Sequence, residues 1–181
     1  MKQSPALLMN VLALYAIAAV LIAAFAMQFW LSELPCPLCL LQRAFICALA
    51  AGPILNLRYG PRPSHYALSI LAALIGACVS ARQILLHILP GDPGYGSAVF
   101  GYHYYTWAFL LFVAAIGLAA LMLLFDRQFE QDETPRRSIG GTIAVWLVIG
   151  LVAANVISTL AICGLAECPD NPVRYQLFQH G

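Results

Sequence analysis

The stretch Pro35-Cys36-Pro37-Leu38-Cys39-Leu40-Leu41-Gln42-Arg43 decides how the rest of this chain is read. Two thiols at this spacing can close a small disulfide. With Pro37 in a first helical turn, where its missing N–H costs nothing, both cysteines stand at a helix N-terminus. The unpaired N–H groups and the positive end of the helix dipole there favour thiolate over thiol. Arg43 follows Cys39 by four residues and Cys36 by seven, so all three share one helical face, with the arginine roughly 6 Å and 10 Å along the axis from the two sulfurs. A dithiol, a fixed cation and an apolar surround form a site suited to passing electrons to a flat, apolar, anion-forming acceptor.

Around this stretch the chain is 62% hydrophobic and only 9% charged, against about 25% charged for a soluble domain. Such a chain could not cover its surface in water, and it is expected to be an integral membrane protein. A net charge of +1 gives no reason to expect a nucleic-acid partner. No charge falls between Lys2 and Glu33, a run far longer than the roughly 7–15 apolar residues of a signal-peptide core. About Ala6–Trp30 therefore reads as a retained transmembrane helix. Further spans are expected over about Pro37–Leu57, Ser64–Leu89, Tyr104–Phe125 and Thr142–Cys163, separated by Arg58-Tyr59-Gly60-Pro61-Arg62-Pro63, the loop Pro90–His103 and the charged linker Asp126–Ser138. The fold class predicted is all-α, one membrane domain over 1–181, in which small residues such as Gly52, Gly76, Gly117 and Gly150 allow close helix approach.

Five spans put the chain ends on opposite faces. Lys2, Arg58, Arg62, Arg127, Arg136 and Arg137 fall on one face, and of the loop and tail cations only Arg174 falls on the other. By the positive-inside rule the N-terminus is cytoplasmic and the C-terminus lies outside. Cys36/Cys39, the Pro90–His103 loop and Cys163/Cys168 then share the outer face, where thiols can oxidise.

Each candidate has a plainer rival. Cys36-x2-Cys39 with Cys163-x4-Cys168 has the composition of a four-thiolate zinc site. Haem attachment is excluded because Leu40 stands where histidine is needed. Arg43 could snorkel to the interface along its aliphatic stem, although an ionisable residue inside a span is a functional candidate by default. Arg82, near the end of the third span, supports both readings. His87 could donate a proton to a reduced acceptor or simply pack. Cys163 and Cys168 could clip the tail or relay electrons. Cys47 and Cys78, mid-span, read as small apolar core residues. Tyr95, Phe100, Tyr102, His103, Tyr104, Tyr105 and Trp107 read as an interfacial aromatic belt.

The Cys-x-x-Cys-x-x-x-Arg pattern at the head of the second span resembles the signature of the disulfide bond formation protein B (DsbB) family. The resemblance covers about 6–125 and includes Ala81-Arg82-Gln83-Ile84-Leu85-Leu86-His87 at the end of the third span. It implies a four-helix core in a bacterial inner membrane and a thiol:quinone oxidoreductase. Such an enzyme oxidises a periplasmic thioredoxin-like, DsbA-like dithiol oxidase and passes electrons to ubiquinone or menaquinone. Carried over, Cys36 and Cys39 are the quinone-reducing pair, with Cys39 facing the ring. Arg43 is the quinone-binding cation, and Arg82 and His87 are further quinone-side candidates. One departure stands out. Typical members hold a second cysteine pair between helices three and four, whereas Pro90–His103 has none. Here Cys163 and Cys168 follow an additional fifth helix, at about 139–181 with its tail, as the candidate relay. A helical subunit with purely structural disulfides is the competing reading. A quinone reductase like the vitamin K reductases is opposed by the placement of the motif on the second span.

Overall fold

A computed structural model describes residues 5–129 and 138–178. Among these, five helical spans are long and apolar enough to cross a membrane: Pro5–Trp30, Pro37–Tyr59, Pro63–Leu86, Tyr104–Leu123 and Ile139–Cys163. About twenty residues at 1.5 Å per residue match a hydrocarbon core of roughly 30 Å. The protein is a multi-pass helical membrane bundle. Its helices are α1 (Pro5–Trp30), α2 (Pro37–Leu49), α3 (Ala51–Tyr59), α4 (Pro63–Leu86), α5 (Tyr104–Leu123) and α6 (Ile139–Cys163).

The second span, expected as one helix, divides at Ala50 into α2 and α3. Pro53 explains the division, because it has no N–H to offer the Leu49 carbonyl and its ring crowds that carbonyl. Ser69 of α4 supplies the missing donor, with Oγ 2.9 Å from Leu49 O. Gly52 permits the approach: a Cβ there would lie 2.3 Å from Ser69 Oγ and 2.4 Å from His65 O. Gly76 of α4 serves α5 in the same way. Its missing Cβ would fall 2.3 Å from the ring of Phe112, which is wholly buried. Gly117 and Gly150, expected to act likewise, have nothing within 4 Å where a Cβ would stand, so they mark open faces.

The core runs through Leu14, Leu21, Ala73, Phe112, Ala144 and Val148. The most extensive packing is α4 on α5, followed by α2 on α4 and α1 on α6. The expected Pro90–His103 loop contains a short antiparallel hairpin, β1 (Ala98–Val99) and β2 (Tyr102–His103), with Ala98 opposite His103. Its two turn residues, Phe100 and Gly101, have φ of 51° and 82°, the left-handed pair that suits the right-handed twist of a tight hairpin.

Each end of the bundle carries a buried polar cluster. At the end bearing Arg58, Arg62 and Arg127, Asn56 Nδ2 donates to Asn10 Oδ1 at 2.9 Å, and Asn10 Nδ2 donates to Tyr66 Oη at 3.1 Å. Tyr66 donates in turn to Gln128 at 2.8 Å. These bonds join α1, α3, α4 and the segment after α5. Lys2, Arg136 and Arg137, which the charge argument also places at this end, lie outside the described residues. The opposite end holds both cysteine pairs, the hairpin and the tail with Arg174.

Candidate active site

Cys36 sits just before α2 as its N-cap, with Pro37 at the first helical position. Its Sγ accepts the Cys39 N–H at 3.1 Å, the role an oxygen usually plays at a helix start. Cys36 and Cys39 are bridged, with Cα atoms 4.9 Å apart, inside the usual disulfide range. Cys163 and Cys168 are bridged too, with Cα atoms 4.4 Å apart. The four sulfurs thus form two disulfides and not one tetrahedral set. Cys163 ends α6, and Gly164 at φ 67° turns the chain back. Cys163, Leu34, Leu40 and Ile162 form a buried cluster against which Cys168 and Tyr175 pack. The second bridge therefore leans on residues that flank the first.

A cavity of about 670 Å³ opens beside Cys39. Its walls come from α1 (Val20, Ala24), α2 (Gln42, Arg43, Ile46) and α5 (Ala108, Leu111). The hairpin segment roofs it through Val99 and Phe100. Two contacts hold that roof. Glu33 accepts from both the hydroxyl and the backbone N–H of Ser97, and Tyr95 Oη donates to Leu34 O at 2.6 Å. Burial, and then the Glu33 carboxylate, push the Tyr95 phenol above its usual value, which keeps it a donor.

Arg43 is 8% exposed, so it is fixed inside the bundle. Its Nη1 donates to Gln28 Oε1 at 2.6 Å and its Nη2 to Ala24 O at 2.7 Å. The guanidinium also lies 5.3 Å from the centroid of the Phe25 ring. Gln28 Nε2 reaches Ser158 Oγ of α6 at 3.0 Å and Tyr175 Oη of the tail at 3.3 Å. The fifth span and the tail therefore help orient the arginine. A second chain ends on sulfur: Gln42 Nε2 donates to Gln83 Oε1 at 2.8 Å, and Gln83 Nε2 approaches Cys36 Sγ at 3.3 Å and Cys39 Sγ at 3.6 Å.

The structure brings Cys39 and Arg43 together on the cavity wall and leaves Arg82 and His87 off it. Arg82 is exposed on α4. His87 Nδ1 lies 2.9 Å from Asp92 Oδ1, and its ring stacks on Tyr105 at 5.6 Å. Asp92 also accepts from Gly94 N at 2.8 Å. The Gly94 N–H and then His87 hold its carboxyl below the ordinary range. Tyr95, Tyr104, Tyr105 and Trp107, read from sequence as a belt, all line the cavity.

Sequence reasoning gave no role to Gln28 or Gln42 and noted Gln83 only as a neighbour of Arg82. Their signal was available, since an amide inside an apolar span needs a partner.

A family model described as disulfide bond formation protein DsbB matches residues 6–161. A disulfide bond formation protein B of Saccharophagus degradans is 33% identical over 144 residues, covering 76% of this chain and 81% of that protein. One from Chromobacterium violaceum is 44% identical over 69 residues, 36% of this chain and 42% of that protein. One from Xanthomonas axonopodis pv. citri is 37% identical over 82 residues, 42% of this chain and 48% of that protein. These last two matches span under half of each relative's length. No solved structure matches the chain.

Proposed function

This chain belongs to the disulfide bond formation protein DsbB family, and from that premise we propose that it is a thiol:quinone oxidoreductase. It takes two electrons from a thioredoxin-like dithiol protein and passes them through Cys36 and Cys39 to ubiquinone or menaquinone. A role in disulfide bond formation follows from the family itself. The quinone and the dithiol partner belong to this proposal.

One observation carries the reading: Cys39 and Arg43 share the wall of an apolar cavity of about 670 Å³. That volume suits a small-molecule site, in which apolar walls supply affinity and a few polar groups fix orientation. A bound quinone supplies a two-electron acceptor whose oxygens gain negative charge as they are reduced. Arg43 answers that charge. Two of its five N–H donors are engaged by Gln28 and Ala24, so the remaining donors are free to be directed at the cavity. Buried walls raise the worth of such a cation.

The electrons enter at the second pair. Cys168 is half-buried whereas Cys163 is buried, so a partner thiolate attacks Cys168. The Cys163–Cys168 bond breaks and a mixed disulfide forms. The partner's second thiol then closes its own disulfide, leaving Cys163 and Cys168 reduced. Exchange with Cys36–Cys39 reforms the tail bridge and moves two electrons to the first pair. Reclosure of Cys36–Cys39 delivers those electrons, with two protons, to the acceptor in the cavity. The positive-inside rule places this end outside the cytoplasm and the N-terminus within it, where a bacterial inner membrane separates oxidising from reducing compartments.

The test is quinone absorbance with purified protein and a reduced thioredoxin-like donor. Cys39→Ser should abolish turnover while the helical content stays intact, and full activity in that variant would overturn the proposal. The double variant Cys163→Ser/Cys168→Ser should lose most of the rate with a protein donor. Normal rates would make the tail bridge a clip.

A further inference from the structure

The Cys36–Cys39 bridge is touched by a side chain for which the proposed reaction has assigned no task. Gln83 of α4 is 1% exposed and Gln42 of α2 is 5% exposed. Gln83 Nε2 stands 3.3 Å from Cys36 Sγ and 3.6 Å from Cys39 Sγ, so a single amide faces both sulfurs. A disulfide sulfur carries no proton and can only accept, so the nitrogen of Gln83 must face the bridge. Its oxygen then points away and takes the Gln42 N–H at 2.8 Å. The orientation of the pair follows from the chemistry of its two ends, and Gln42 prevents the Gln83 amide from turning over.

We propose that Gln83 is the residue that sets the redox poise of the Cys36–Cys39 pair, with Gln42 as its positioning residue. The inference rests on the thiol:quinone reading for its purpose, though not for its test. A bridged sulfur is a weak acceptor, whereas a thiolate is a strong one. When two electrons and one proton enter the pair, the S–S bond opens to one thiol and one thiolate. The fixed Gln83 donor then gains far more interaction energy than it had with the bridge. A donor that favours the reduced form makes the pair a better oxidant, which is what an enzyme that accepts electrons from another dithiol requires. The Cys39 N–H to Cys36 Sγ, at 3.1 Å, works in the same direction from the backbone. Burial keeps water from replacing either donor.

The experiment is equilibration of the purified full-length protein with graded dithiol buffers, counting free thiols on the peptide that carries Cys36 and Cys39. It needs neither quinone nor partner, so its outcome is independent of whether turnover with those substrates is found. Gln83→Met keeps bulk and removes the donor. It should shift the equilibrium toward the disulfide about tenfold, which is about 30 mV for a two-electron couple. The Cys163–Cys168 equilibrium, read in the same samples, should stay where it is. Gln42→Leu should shift the first pair in the same direction by a smaller factor. The double variant should shift it no further than Gln83→Met alone, because Gln42 acts through Gln83. Gln83→Leu provides a second donor-free variant should the methionine fail to fold. An unchanged Cys36–Cys39 equilibrium in a folded donor-free variant overturns the proposal, as does an equal shift in both cysteine pairs. Full additivity in the double variant overturns the positioning role of Gln42.

Discussion

Both ends of the bundle bury amides and hydroxyls but use them differently. At the end near Gly60, Asn10, Asn56, His65, Tyr66 and Gln128 satisfy one another. The Asn56 carbonyl alone takes His65 Nδ1 at 2.9 Å and the Arg62 N–H at 3.2 Å. That network closes on itself and ties four segments of chain together. At the sulfur end the networks stay open. One runs from Tyr175 and Ser158 through Gln28 to Arg43, which lines the cavity. The other runs from Gln42 through Gln83 to the bridge. A closed polar cluster fixes a fold, whereas an open one leaves a donor aimed at something that changes charge. The difference separates scaffold from site without any appeal to residue type, since glutamine serves at both ends.

Substitutions that damage one property and spare the other test this comparison. The largest effect is expected from Arg43→Met at the open end. It removes a charged donor worth about 1.5–3 kcal/mol, so kcat/KM for quinone should fall roughly ten- to a hundredfold with little loss of helical content. Steady-state titration with quinone reads it. Equal loss of fold and rate would make Arg43 a structural residue. Asn56→Leu at the closed end should do the reverse. It leaves Asn10 and His65 short of partners, lowering stability by about 1–3 kcal/mol while the quinone KM stays unchanged. Unfolding in detergent, followed by circular dichroism, reads the first quantity. The smallest effect belongs to Asp92. Its carboxyl is depressed in the folded chain by the Gly94 N–H and His87. The contribution it makes is therefore present above the ordinary aspartate value of about 3.9 and is lost as pH falls through the lower folded value. The Gly94 amide resonance should show a step below about pH 4, and in Asp92→Asn that low-pH step should be gone.

How much of this was legible in advance depended on whether the signal was local. The apolar runs gave the spans to within a few residues, because the chain must satisfy its backbone inside lipid. The Cys36–Cys39–Arg43 spacing carried the family signature, because helical geometry converts four residues into one turn. The break at Ala50 was also written locally, in Pro53, but its tolerance depends on Ser69, twenty residues beyond Leu49 on another helix. The partners of the glutamines were hidden for the same reason. Nothing within one turn of Gln28 or Gln83 says that the first holds an arginine fifteen residues on and the second faces a cysteine forty-seven residues back. The aromatic cluster carries more than its composition announces. Tyr95 and Tyr104 have the composition of a membrane belt and also line the cavity, and closure of the loop through Glu33 and Ser97 is a long-range event.

The roof pinned by Glu33 and Tyr95 also bears on traffic. It covers the cavity on the side of the aqueous phase, and the two walls beneath it, α1 and α5, do not pack extensively on one another. A greasy, long-tailed acceptor would thus arrive and leave sideways, between helices, by lateral diffusion in the lipid leaflet. Protein donors would approach from above. On the proposed reaction the two reactants would then not compete for one doorway, and turnover would be limited by the supply of either without the other blocking access.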